Sequence, residues 1–243
     1  MWRKFHFWIG LVIVIQVALW LVSGMGFSIL YNRALGGERE TVNLQPPPVS
    51  VEDVRVTPNQ LPVLLRERFG HAVPVTSVSL QSHGIDGRPV YIVGIEDSDT
   101  PAVIDATHGS WVEPGSAEDA AAIARRDFTG TAAIESVETI TEPYEKGYDY
   151  FGQLPVYRVN FANWKGTRIY VSPYTGDIRL RRNVDKTLFD VFWTLHMFGY
   201  VSHDIDGNPA LIATGAISMI SVATGLMLYV PRLKSAARRR RRT

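Results

Sequence analysis

Residues 5–30 read FHFWIGLVIVIQVALWLVSGMGFSIL, a run with no charged side chain unless His6 is protonated. As a helix rising about 1.5 Å per residue, it is long enough to cross a hydrocarbon core of about 30 Å. Residues 209–230, PALIATGAISMISVATGLMLYV, form a second uncharged run of spanning length. The overall figures of 46% hydrophobic and 20% charged residues average over these two runs and hide them. A secretory signal competes for the first run, because Arg3-Lys4 precede it and Ser23-Gly24-Met25-Gly26 offer small residues near a cleavage point. The run exceeds the ~7–15-residue core of such signals, so the sequence predicts an uncleaved anchor.

Charge sets the expected orientation. Arg3, Lys4, Arg232, Lys234 and Arg238–Arg242 flank the two runs on their outer sides, with no acidic residue among them. Those nine leave 16 of the 25 basic residues against all 24 acidic ones, a net charge of −8 for the chain between the tails. Basic flanks stay in the cytoplasm, so both termini are expected inside and the acidic middle exported. The terminal arginine cluster sits directly behind a membrane helix, where it anchors topology and meets anionic lipid rather than nucleic acid. With no cysteine there is no disulfide framework and no thiolate metal site.

Between the spans, residues 31–50 form a polar linker ending near Pro46-Pro47-Pro48, a semi-rigid spacer. A repeated order follows. Residues 51–114 open on the cap Thr57-Pro58-Asn59-Gln60 and a short helix with Leu61, Leu64, Leu65 and Phe69 at helical spacing. Strand-like runs at 75–81 and 88–95 are joined by the hairpin signal Asp86-Gly87, and a third at 102–105 turns at Thr107-His108-Gly109 into Trp111-Val112. Residues 115–183 repeat the order: a cap at Ser116, a helix through about Phe128, runs at 133–141, 155–161 and 167–171, and the turn Pro173-Tyr174-Thr175-Gly176 into Ile178 and Leu180. The expected fold class is a membrane protein of α+β type, two transmembrane helices flanking a tandem of helix-plus-antiparallel-sheet units. Residues 184–208 complete the middle as an aromatic interfacial helix and turn before the span at 209–230 and the basic tail at 231–243.

Three stretches give this order a likeness: His6-Phe7-Trp8-Ile9-Gly10 through Leu19-Trp20-Leu21-Val22-Ser23-Gly24; Tyr170-Val171-Ser172-Pro173-Tyr174-Thr175-Gly176-Asp177; and Leu195-His196-Met197-Phe198-Gly199 ahead of Thr224-Gly225. Together they resemble the PepSY-associated transmembrane family. The resemblance implies two things. PepSY modules of exported proteins are similar to the propeptide modules of secreted metallopeptidases and are thought of as chaperone-like or inhibitory binding units. Larger members with four membrane helices are similar to inner-membrane reductases of ferric siderophores, with haem held by membrane histidines. This chain has two spans, so one protomer lacks part of such a ligand set.

A b-type haem is thus the cofactor the resemblance puts forward, and His6, His196 and His203 are the candidate ligands. His6 and His196 lie at opposite ends of the expected spans, roughly 30 Å apart, and cannot share one haem within a protomer. If one helix continued from His196 to His203, the two would sit on one face about 10 Å apart, where no flat macrocycle fits between them. A symmetric dimer would supply the opposite ligand; a single axial ligand is the alternative. The competing readings are interfacial or packed histidines, and a polar turn for His203. His71, His83 and His108 match no metal-ligand spacing and read as structural.

No nucleophile elbow, H-E-x-x-H or phosphate-binding loop occurs. Two functions follow as expectations. In the leading one, the periplasmic domain of an inner-membrane protein binds a peptide or partner protein through strand edges or a face holding Trp111, Tyr148, Tyr150 and Trp164. In the other, the chain is a haem-dependent electron-transfer subunit supporting metal reduction, as a homodimer or with another inner-membrane protein. In both, the lipid bilayer is a partner and nucleic acid is not.

Overall fold

A computed structural model describes residues 2–34, 40–142, 150, 152–199 and 208–240. The chain divides into two units, one from Met1–Asn32 with Leu188–Thr243 and one from Arg33–Thr187.

The first unit is helical. Helix α1 covers Trp2–Ala34 and the last helix, α5, covers Pro209–Arg240. Within them Arg3–Tyr31 and Pro209–Val230, with mean hydropathy 2.2 and 1.9, are long and apolar enough to span a membrane. Large apolar side chains stay uncovered along both, among them Trp8, Leu21, Ile212 and Met219 at 63–75% exposure. A bilayer solvates such surfaces, whereas water would not. Helix α5 runs past its apolar part to Arg240, so the basic tail is helical at least that far.

Helix α4, Val184–His196, lays its aromatic side on α1. Phe27 meets Phe189, Trp193 and His196 edge-on at 6.2, 5.6 and 5.1 Å between ring centroids. Gly26 makes the approach possible, since a Cβ there would lie 2.8 Å from the Phe192 ring. The helix stops at His196 and does not run on to His203. The Met197 N–H still donates to Trp193 O (2.9 Å), then the Gly199 N–H reaches back to Thr194 O (2.9 Å) while Phe198 takes a left-handed φ of 55°. The Asn208 amide closes this end by donating to Met197 O and Phe198 O, both at 3.1 Å. Its Oδ1 accepts from the Ala210 N–H at 3.0 Å and so caps α5 as well. The same-face geometry expected for His196 and His203 therefore fails at its premise, and His203 itself lies outside the described residues.

The second unit holds two antiparallel sheets, each with one helix. Strands β1 (Val75–Ser82), β2 (Pro89–Ile95) and β3 (Ala102–Asp105) pair in that order. Helix α2, Leu61–Phe69, buries Leu61 and Leu65 against Tyr91, Val93 and Ile104. Strands β4 (Ile134–Ile140), β5 (Val156–Phe161), β6 (Arg168–Val171) and β7 (Ile178–Arg182) form the second sheet in sequence order. Helix α3, Ala117–Asp127, packs Ala120, Ile123 and Ala124 on Val159, Phe161, Ile169 and Val171. Each fully buried Val, Ile or Phe in such a layer contributes about 1.5–3 kcal/mol. The start of α3 follows from Ser116 and Asp119, whose side chains each accept the other's backbone N–H, at 3.1 and 2.9 Å.

The two halves differ where the repeat predicts likeness. Trp111 makes only an isolated bridge to Ile104, so the first sheet has no counterpart of β7. Residues 40–44 also do more than space the domain. Val42 N–H donates to Asp127 O (2.7 Å), Thr129 N–H to Glu40 O (2.7 Å) and Leu44 N–H to the Asp127 carboxylate (2.7 Å). A turn contact joins the halves, Gly84 N–H donating to Thr175 O at 2.7 Å. Gly176 needs its φ of 68° there, and a Cβ on it would press to 2.8 Å from Ile85 N.

Candidate functional site

The helices of the first unit place two histidines in matching surroundings. His6 Nδ1 lies 2.9 Å from Thr224 Oγ1, joining α1 to α5. His196 Nδ1 lies 3.1 Å from Ser23 Oγ, joining α4 to α1. Each hydroxyl also bonds a carbonyl of its own helix, Thr224 to Ile220 O at 2.9 Å and Ser23 to Leu19 O at 2.7 Å. A hydroxyl has one proton, so while it serves the helix carbonyl the oxygen can only accept from the imidazole. Nδ1 is then the protonated nitrogen and donates, and Nε2 keeps its lone pair. That is the tautomer a metal-ligating imidazole uses, and the same contact to a hydroxyl recurs at both rings.

Glycine follows each hydroxyl residue and makes room for the ring. A Cβ at Gly225 would lie 3.2 Å from His6 Cε1, and one at Gly24 would lie 3.3 Å from His196 Cε1. Ser23 and Thr224 are buried, whereas each imidazole is half-buried, so a ring face is left towards the outside of the helix pair. Around His196, Trp20 donates its indole N–H to His196 O at 2.9 Å, and the Phe27 ring stands perpendicular to the imidazole. Beside His6 a groove of about 540 Å³ runs along Arg3, His6, Gly10, Val14, Leu228 and Tyr229. That volume falls within the ~300–1,000 Å³ typical of small-molecule and cofactor sites. The groove is lined by apolar residues together with His6, Arg3 and Tyr229, and nothing lies within 4 Å of where a Gly10 Cβ would stand. The two sites are far apart: Ser23 is 17 positions after His6 on α1, about 25 Å along a helix rising ~1.5 Å per residue.

The chain matches the family model for the PepSY-associated TM region over residues 2–243. It belongs to that family. Comparison with curated proteins and with solved structures yields no match. The two spans of this PepSY-associated TM protein thus carry, at Ser23-Gly24 and Thr224-Gly225, dipeptides that each receive one imidazole.

The other sequence candidates lie elsewhere. Trp111 packs edge-on against Phe69 at 5.9 Å with the Arg68 guanidinium over its ring. Tyr150 stacks on Tyr170 at 5.0 Å, and burial raises its pKa. Trp164 is 83% exposed in the turn between β5 and β6, beside Lys165. These three have different neighbours, and Tyr148 lies outside the described residues. His71 reaches Phe69 O, His108 lies 3.4 Å from Asp105, and His83 is buried between Asp86 and Tyr174 O. Among the described residues no group of three or more His, Asp or Glu is placed to hold a metal ion. The residues that sequence reasoning passed over are Ser23, Gly24, Thr224, Gly225, Arg3 and Gly10. The signal for the first four was a small hydroxyl residue followed by glycine in each span.

Proposed function

We propose that this PepSY-associated TM protein is a haem-binding electron-transfer subunit that supports metal reduction, such as that of ferric siderophores, at a bacterial inner membrane. The observation that carries the reading is the matched pair of contacts, His6 Nδ1 to Thr224 Oγ1 and His196 Nδ1 to Ser23 Oγ, each to a hydroxyl that bonds its own helix and can therefore accept Nδ1–H and leave Nε2 as the ligating nitrogen. An imidazole packed against a membrane-spanning helix is a functional candidate by default. The residues fit the group: His6 and His196 would supply ligating nitrogens, the glycines make space beside them, and Arg3 offers a cation in the largely apolar groove beside His6. When bound, haem would supply one-electron transfer.

The chain's own residues do the rest. Ser23 and Thr224 orient the imidazoles, and the exposed apolar flanks keep water from both sites. Among the described residues one protomer offers one imidazole at each level, and a homodimer would complete both sites. The basic flanks argue for cytoplasmic termini and a periplasmic middle, which we read as PepSY-like units at 51–114 and 115–183. The two levels would then carry electrons between the faces of the membrane. Replacing His6 or His196 with alanine in the purified protein tests this: each variant should lose about half of the bound haem, and His71→Ala none. Equal loss in all three would reject the assignment.

A further inference from the structure

The two sheets of the central unit have four edges, and they are protected unequally. An exposed edge strand invites pairing with another chain unless it is covered or charged. Strand β3 is covered by the bridge from Ile104 to Trp111 and has four buried residues. Strand β4 carries Glu135 and Glu138, and β7 carries Arg179, Arg181 and Arg182. Strand β1, VTSVSLQS, has no charge, no proline and six successive exposed residues. Val78 and Leu80 stand 47% and 40% exposed although they share the core-side face with Val93 and Tyr91, their direct partners on β2.

The register tells which backbone groups are free. His83 N–H donates to Arg88 O at 2.8 Å, and Pro89, opposite Ser82, has no N–H to give. By the alternation of an antiparallel ladder, odd positions of β1 bond to β2 and even positions point outward. The free edge therefore offers the N–H and C=O of Val78 and Leu80. The bulge between Val75 and Ser77 lies outside this regular part.

We propose that β1 pairs with β1 of a second copy of this chain, antiparallel about a two-fold axis through Ser79. Near a two-fold axis each residue meets its own copy, so an isologous contact needs an uncharged centre. Pairing β4 with itself would bring Glu135 and Glu138 of both copies close together, and pairing β7 its three arginines; among the described edges β1 avoids this, within a chain whose middle carries a net −8. In the Ser79-centred register Val78 faces the partner's Leu80 and Leu80 the partner's Val78, making four backbone hydrogen bonds. The same pairs join their apolar side chains into one cluster, while Ser77 and Gln81 face each other on the opposite surface. Two three-stranded sheets become one of six, and both copies are confined to the same membrane, which raises their effective concentration. The inference rests on the central unit and does not depend on haem.

The chain has no cysteine, so one can be introduced without background. On the axis, Ser79 would form a non-hydrogen-bonded pair with Cα atoms about 4.5 Å apart, inside the ~4.4–6.8 Å range of disulfides. Full-length Ser79→Cys in native membranes under mild oxidation should give a reducible dimer, about tenfold more than Thr139→Cys on the β4 edge, where no such geometry exists. Adding Leu80→Lys should abolish the cross-link; that side chain is partly exposed already, and an unchanged circular dichroism spectrum would show the fold intact. Monomeric Ser79→Cys, equal cross-linking at both positions, or adducts of Ser79→Cys with other proteins in place of the dimer would each overturn the proposal.

Discussion

Thr224→Val isolates the contact between the Thr224 hydroxyl and His6 Nδ1. The change keeps the shape of a buried side chain and removes only the oxygen that His6 Nδ1 contacts at 2.9 Å. An interhelical hydrogen bond in a membrane is worth about 0.6 kcal/mol on average and about 1.7 at most. At 1.4 kcal/mol per decade, its loss weakens a ligand that needs this tautomer by about 3- to 16-fold. Losing a second-sphere partner of a metal-bound histidine costs about 10- to 100-fold, and the two ranges overlap near tenfold. The assay is a haem titration followed at the Soret band in a His196→Ala background, so that only the His6 site is read. Thr224→Ser should restore the affinity. Ser218→Ala is the control, because Ser218 likewise donates to its own helix, at 2.8 Å from Thr214 O, but holds no histidine. Affinity within twofold of the parent for Thr224→Val, or an equal loss for Ser218→Ala, would refute the reasoning.

Gly24→Val should empty the His196 site and spare the His6 site, because a Cβ already lies 3.3 Å from His196 Cε1 and the added methyls would take the ring's place; haem stoichiometry falling by about half checks it. Asp127→Ala removes a fully buried carboxylate that binds Arg181 at 2.7 and 2.8 Å and the Leu44 N–H, a loss of about 3–5 kcal/mol. The melting temperature of the central unit should fall by about 10 °C, and a shift under about 3 °C would contradict the account. Asp119 is held below its ordinary value of 3.8 by the Ser116 N–H and hydroxyl. Its contribution is full above that value and is lost as pH falls through the lowered folded value. Asp119→Asn should therefore destabilise the domain at pH 7 more than at pH 3, read from paired melting curves.

Much of the fold was legible because its signals are local. The uncharged runs at 5–30 and 209–230, the Asp86-Gly87 turn and the Ser116 cap each act within a few residues of themselves. The ends of α4 and the docking of residues 40–44 were not legible, because Asn208, Asp127 and Glu40 act on distant backbone whose position only the folded chain defines. The site was half legible. His6 and His196 stood out as imidazoles beside apolar runs, but their partners lie 218 and 173 positions away, and serine or threonine in a membrane helix ordinarily bonds only its own turn. The four aromatic residues read as one face had no local rule behind them, and the three that are described have separate neighbours.

The central claim is most directly tested by the absorption spectrum of the full-length protein, expressed with ample haem and purified in detergent, before and after dithionite. The account predicts a Soret band that shifts on reduction and sharp α and β bands, with a haem-to-protein ratio that falls in His6→Ala and His196→Ala. A featureless visible spectrum from pure, folded protein would contradict it.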